Sequence, residues 1–235
     1  MRIPNNVWGL PQARRVDDQL QRPDSVKSRH NGNPRIFLVV EGVNDIQFLR
    51  RISAILHIDD PHMPDLSAME HGGELIFVPF GGGDVSLWAD RLAGLDRPEF
   101  HLYDREMPPE SQSRQRIADA VNRRPQCRAM LTKKRSLENY LAPSAVREAG
   151  DVDINFSDHD PVAELVARQM HKRRDGQPRW NDLPARIRKR RRDRVKKWLN
   201  TRAVERMTAA RLAERDPTGE VRCWLATIAR LANRS

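Results

Sequence analysis

RIFLVVEGVNDIQFLRRI, residues 35–52, decides how the rest of the chain is read. The apolar run Ile36–Val40 goes straight into Glu41-Gly42, and a further acid, Asp45, arrives as a helical pattern begins. An unbroken apolar run of this length is expected of a strand covered on both faces. Beyond it, Ile46, Leu49, Ile52, Ile55 and Leu56 recur at helical spacing, with Asn44 as N-cap. A buried strand therefore ends on one carboxylate, and a second follows four residues on. Two such acids alone could belong to a solvated loop, so their meaning depends on where later acids fall.

The same alternation recurs downstream. A loop over 59–73 leads to a second strand, ELIFVPF (74–80), which ends in GGGD (81–84). The spacing of Val85, Trp88 and Leu92 in VSLWADRLAGL (85–95) predicts a helix. EFHLYDRE (99–106) reads as a third strand, SQSRQRIADAVNRR (111–124) as a polar helix with Ile117 and Val121 inward, and CRAML (127–131) as a fourth strand. Four strands separated by helices imply right-handed βαβ units and a mainly parallel sheet. After residue 134 the pattern turns helical. SLENYLAPSAVREAG (136–150) is short; DPVAELVARQM (160–170) opens with Asp160 as N-cap and Pro161 at the first position. VKKWLNTRAVERMTAARLAE (195–214) reads as helix throughout, and Val221, Trp224, Leu225 and Ile228 have i, i+3, i+4, i+7 spacing. The expected fold is α/β and Rossmann-like: a loose arm over 1–34, a four-stranded sheet domain over 35–142, and an all-helical basic region over 143–235.

A chain of 235 residues, 38% hydrophobic and with a mean hydropathy of -0.74, can bury a core but is polar. The opening MRIPNNVWGLPQARR has no apolar segment of the secretory kind, and no run approaches membrane-spanning length. Two cysteines, Cys127 and Cys223, lie far apart without CxxC spacing. A disulfide framework is thus disfavoured, and a reducing cytoplasm is the simple expectation. Charge says more. Forty-two Lys+Arg against 32 Asp+Glu give +10 and a pI near 10.4. That excess points to nucleic acid, because each phosphate contact releases condensed counterions. Nine basic residues in the twelve of 186–197, among them Arg188, Arg190, Arg191, Arg192 and Lys196, form the expected backbone footprint. Trp180 and Trp198 flank it, to be stacked on bases or buried.

In open α/β sheets the carboxyl ends of parallel strands line the crevice where ligands bind. Glu41 closes the first strand, Asp45 lies in the first turn of the next helix, and Asp104 and Glu106 close the third. Residues two apart on a strand share a face, so Asp104 and Glu106 are expected side by side. Four carboxylates repel one another unless cations neutralise them, and an oxygen-only set suits Mg²⁺ or Mn²⁺.

VEGVND followed by HLYDRE resembles the TOPRIM domain shared by topoisomerases, bacterial primases, and small and OLD-type nucleases. Its marks are a Glu-Gly after the first strand and an Asp-x-Asp after the third, here Glu41-Gly42 and Asp104-Arg105-Glu106. With Asp45 and KKRSLENYL (133–141), the chain looks most like the TOPRIM half of OLD (overcoming lysogenization defect) nucleases and related stand-alone phage-defence effectors. The likeness covers about 35–142. Glu106 departs from the pattern by one methylene.

The resemblance implies an endonuclease cutting DNA with two Mg²⁺ or Mn²⁺ ions about 3.5–4 Å apart. Asp104 and Glu106 would hold one ion, and Glu41 would bridge, or ligate with Asp45, at the other. Glu138 is either an outer acid of that site or a structural link inside ENYL. Lys197, in RVKKWLN, is the nearest match to the lysine such nucleases take from the helical region, or else lies on a solvated face. Gly42 would let backbone approach phosphate without a Cβ. Gly83 and Asp84 fall near the cleft, and Lys133 and Lys134 follow the fourth strand as phosphate contacts. RNA cleavage, or a non-catalytic nucleic-acid-binding subunit, are the alternatives. OLD proteins carry an ATPase ahead of this domain; no Walker A sequence occurs here, so ATP control would come from a partner chain in trans. A homodimer would suit duplex cutting.

Overall fold

A computed structural model describes residues 34–81, 85–172, 176 and 178–234; the arm over 1–34, but for its last residue, lies outside them, as do Gly83 and Asp84. Four strands form one all-parallel sheet: β1 Ile36–Val40, β2 Leu75–Pro79, β3 Glu99–Tyr103 and β4 Cys127–Leu131. Their order is β2-β1-β3-β4. The chain thus leaves β1 to one side for β2 and returns to its other side for β3. The switch point, where α/β sheets open a crevice, falls between β1 and β3.

Side-chain alternation sends β1 into two cores. Ile36, Leu38 and Val40 join Phe100 and Leu102 under α1 (Val43–Asp59) and the C-terminal helices. Val39 joins Tyr103 and Ala129 against α3 (Glu110–Asn122). All five β1 residues are buried, as an unbroken apolar run requires.

Every regular element after β4, among the described residues, is helical: α4 Pro143–Gly150, α5 Val162–Lys172, α6 Ala185–Trp198, α7 Ala209–Arg215 and α8 Glu220–Ala232, with short turns between. The expected α/β sheet followed by a helical region is therefore observed. That region shares the sheet's core, since Val221, Trp224, Leu225 and Ile228 of α8 are fully buried in the same cluster as Leu38. No described helix is long and apolar enough to cross a membrane.

Five local expectations are corrected. The N-cap of α1 is Gly42, and Asn44 lies inside the helix. The loop over 59–73 contains a short helix, α2 (Leu66–His71), started by Asp65, whose Oδ1 accepts the N–H groups of Ser67 and Ala68. The helix expected over 85–95 is two 3₁₀ turns, Val85–Trp88 and Ala93–Leu95. The tighter winding rises about 2.0 Å per residue against about 1.5 Å, which suits a connection that must cross from the β2 edge past β1. The helix expected over 195–214 breaks. After α6 come a wide π turn (Leu199–Ala203), a 3₁₀ turn (Val204–Arg206) and an extended Met207 before Thr208 caps α7. Asp160 is not the cap of α5: its carboxylate turns back to accept the Ser157 N–H at 2.7 Å.

Candidate active site

Parallel register brings the carboxyl ends of β1 and β3 to one edge of the sheet, and Glu41 and Asp104 follow those ends directly. Asp45, in the first turn of α1, completes a capping box by accepting the Gly42 N–H at 2.9 Å. Glu138 enters from the 3₁₀ turn Leu137–Tyr140 after β4, where Ser136 and Asn139 form a second capping box. The same turn presents the Leu137 N–H to Asp104 Oδ1 at 3.1 Å. Asp45, Asp104 and Glu138 are buried; Glu41 is partly open to solvent. Glu138 joins the other acids electrostatically and is also tied to the helical region, accepting from the Asn200 amide at 2.6 Å, so the geometry is compatible with both readings.

Burial pushes Asp45 up to about 7, with Glu138 and Glu41 adding to the rise and Lys196 opposing it. Asp104 too is raised well above its ordinary value, by burial first, then by Asp45, Glu138 and Glu41 against Lys196. Its Oδ2 is buried without a hydrogen-bond partner. Lys196 answers the acids from the last turn of α6. Its ammonium lies 3.8 Å from Asp104 Oδ2 and 3.9 Å from Glu138 Oε1, and those charges, Glu138 foremost, hold its proton more tightly than usual. Arg114 of α3, absent from the sequence reading, donates to the Asp104 carbonyl at 2.6 Å and to Glu41 Oε2 at 3.3 Å.

The structure brings Glu106 to the same cleft as Glu41, Glu138 and Lys196, though not on the face of a strand. β3 ends at Tyr103, and Glu106 adopts a left-handed conformation (φ 53°), so strand alternation does not reach it. Its carboxylate lies 3.4 Å from Arg135, on the wall of a cleft of about 340 Å³ whose lining also includes Glu41, Glu138, Arg192 and Lys196. Lys197, one residue from Lys196, is exposed and faces away over a groove lined with Arg190 and Arg194. Arg188 and Arg192 line the neighbouring groove beside buried Trp180, whereas Arg191 turns inward onto His171 Nδ1. Trp198 is half-buried at the end of α6. Lys134 is buried in an ion pair with Asp158, and Lys133 donates to Thr218 at 3.1 Å, so both are engaged in tying the fold. Gly42 has extended backbone (φ −166°), and a Cβ placed there meets nothing within 4 Å.

The donor chemistry fits a hard divalent cation: oxygen ligands only, one buried oxygen without a partner, and more negative charge than Lys196 and Arg114 balance. Among the described residues no three His, Cys, Asp or Glu side chains already close on one point as an ion requires. The acids stand gathered around an ammonium.

Both tyrosines of the chain, Tyr103 and Tyr140, are fully buried. Tyr103 donates to His101 Nδ1 at 2.7 Å, His101 Nε2 bonds Glu99 at 2.7 Å, and Arg124 closes this ladder. Tyr140 bonds Glu220. A topoisomerase-type phenol nucleophile is thus excluded in this conformation.

No family model and no curated protein matches the chain. Two solved structures of the C-terminal region of the OLD protein of Xanthomonas campestris pv. campestris are similar to it in backbone. Both are 12% identical over 85% of this chain, covering 96% and 94% of theirs at TM-scores of 0.47 and 0.49. At that identity no residue-for-residue correspondence follows.

Proposed function

We propose that this chain is a divalent-metal-dependent nuclease that hydrolyses phosphodiester bonds in DNA. The observation that carries the reading is the gathering of Glu41, Asp45, Asp104 and Glu138 at the switch point of the sheet, with Asp104 Oδ2 unsatisfied and a basic helix alongside. The TOPRIM-like order of motifs in the sequence supports it. Asp45, Asp104, Glu138 and Glu41 would hold Mg²⁺ or Mn²⁺. When bound, such ions supply an activated water and neutralise charge on the departing oxygen.

The chain's own groups then have separate tasks. Lys196 brings a fixed positive charge to the phosphate as its negative charge grows. Arg135 and Arg192, on the cleft wall, orient the backbone of the strand. Arg114 fixes Glu41 relative to the end of β3, and the Leu137 N–H leaves only one oxygen of Asp104 free for an ion. Phage defence and a partner ATPase extend the same proposal from the sequence resemblance.

The test is incubation of the purified chain with plasmid, single-stranded DNA and structured RNA, each with Mg²⁺, Mn²⁺, Ca²⁺ or EDTA. DNA cleavage with Mg²⁺ or Mn²⁺ and none in EDTA is expected. Cleavage of RNA alone would move the substrate to the second class. Tight binding without cleavage by any ion would make the chain a non-catalytic subunit.

The open space over Gly42 gives a sharper test. Nothing among the described residues requires glycine there, so Gly42→Ala should leave stability within about 0.5 kcal/mol of wild type. If a substrate phosphate uses that space, cleavage falls about tenfold or more from misplacement. An unchanged rate would remove Gly42 from the binding surface.

A further inference from the structure

Helix α6 has fourteen residues and three distinct sides. Ile187, Arg191, Val195 and Trp198 turn toward the protein. Arg188, Arg192 and Lys196, at i, i+4 and i+8, face the acidic cleft and the groove that continues it. Arg190 and Lys197, at i and i+7, line an outer groove that among the described residues is bordered by α6 alone, and Arg186, at the start of the helix, lines both grooves. At 3.6 residues per turn the two basic flanks are roughly 150° apart around the axis. Asp193 lines both the cleft and the outer groove, and with Lys189 forms the crest between them. One flank can follow the strand that enters the cleft. The other points too far around the helix to touch that same run of phosphates.

We propose that α6 lies lengthwise in the major groove of duplex DNA, with one basic flank on each phosphate backbone. The dimensions agree. A helix with side chains is about 10–12 Å across and the B-form major groove about 12 Å wide. Fourteen residues at about 1.5 Å each span roughly six base-pair steps of about 3.4 Å. The crest pair offers one donor, Lys189, and one acceptor, Asp193, the two chemistries that major-groove base edges read. A-form RNA is disfavoured, because its major groove is too deep and narrow to admit a helix. This assignment rests on the nuclease reading only in naming which strand enters the cleft, and it fixes the substrate as duplex DNA.

The test is binding in EDTA, where no cleavage occurs, so that its outcome is separate from that of the nuclease reading. In a complex with a duplex of about two turns, guanine N7 atoms should be protected from dimethyl sulfate over about six base pairs. An RNA duplex of the same sequence should bind at least about tenfold more weakly. Arg186→Gln with Arg190→Gln should lower the slope of log affinity against log salt by about 2, at about 0.9 per phosphate contact, with an unchanged melting midpoint. N7 positions that stay fully reactive in the wild-type complex, or RNA and DNA duplexes bound equally, would overturn the proposal. DNA cut in Mg²⁺ despite reactive N7 positions would sink the groove assignment and leave the nuclease standing. Protection without cleavage by any ion would do the reverse.

Discussion

Asp104→Asn is expected to lower ion-dependent cleavage by at least about 1,000-fold and, without metal at neutral pH, to make the protein more stable. The two effects share one cause. Asp104 and Asp45 are buried beside other carboxylates, and both hold their protons to higher pH than in the unfolded chain, where aspartate titrates near about 3.9. Between those values the native state binds more protons than the unfolded one, so this part of the stability is full at low pH. It declines as pH rises through the folded value, about 7 for Asp45 and raised likewise for Asp104. Metal-free wild type should therefore lose stability from about pH 4 to 7 and beyond. The Asn variant keeps the Oδ1 acceptor for Leu137 and turns an amide toward carboxylate neighbours. It should gain about 1–2 kcal/mol at pH 8 and show a shallower pH slope. Melts in EDTA at pH 5, 7 and 8 measure this. A variant less stable than wild type at pH 8, with the slope intact, would show that the acids are not held together under repulsion.

The second large effect concerns Lys196. Removing its ammonium in Lys196→Met strands several acids in a poorly solvated site. A destabilisation of about 2 kcal/mol is expected at pH 8, less at pH 5, where more of those acids are protonated. Cleavage should fall about 100–1,000-fold, the range for losing one fixed charge at a transition state. Combining it with Asp104→Asn should restore part of the stability, by about 1 kcal/mol over the sum of the single changes, because the two groups interact directly. Activity should not return. Lys197→Met, on an exposed face, should melt within about 0.5 kcal/mol of wild type. If turnover at saturating DNA ranks Lys197→Met below Lys196→Met, the assignment of the lysine is reversed.

The contrast between those two lysines shows where sequence reading stops. β1 and its terminal acid were legible because five consecutive apolar residues admit few structures, and the helix start after it is a local signal, although the cap is Gly42 with Asp45 and not Asn44. The flank of α6 that turns to the acids is a long-range matter. Ile187, Val195 and Trp198 mark its buried side, but nothing nearby says which basic flank meets the sheet edge. Glu106 reaches the cleft by a route that strand alternation does not describe. Alternation was extended past the end of β3, and one residue at positive φ redirected the side chain. Arg114 carried no signal at all, being one cation on a polar helix whose importance arises only when α3 meets the ends of β1 and β3. The order of the strands, which makes Glu41 and Asp104 neighbours, likewise depends on how the chain crosses the sheet.

The burial of both phenols sets a direction on the chemistry. An enzyme that parks a broken strand on tyrosine stores the bond's energy and can return the ends to each other. Here Tyr103 and Tyr140 are committed to the interior, one to His101 and the other to Glu220. Neither can carry such a link, so a break made by the proposed hydrolysis would be a one-way event for this chain.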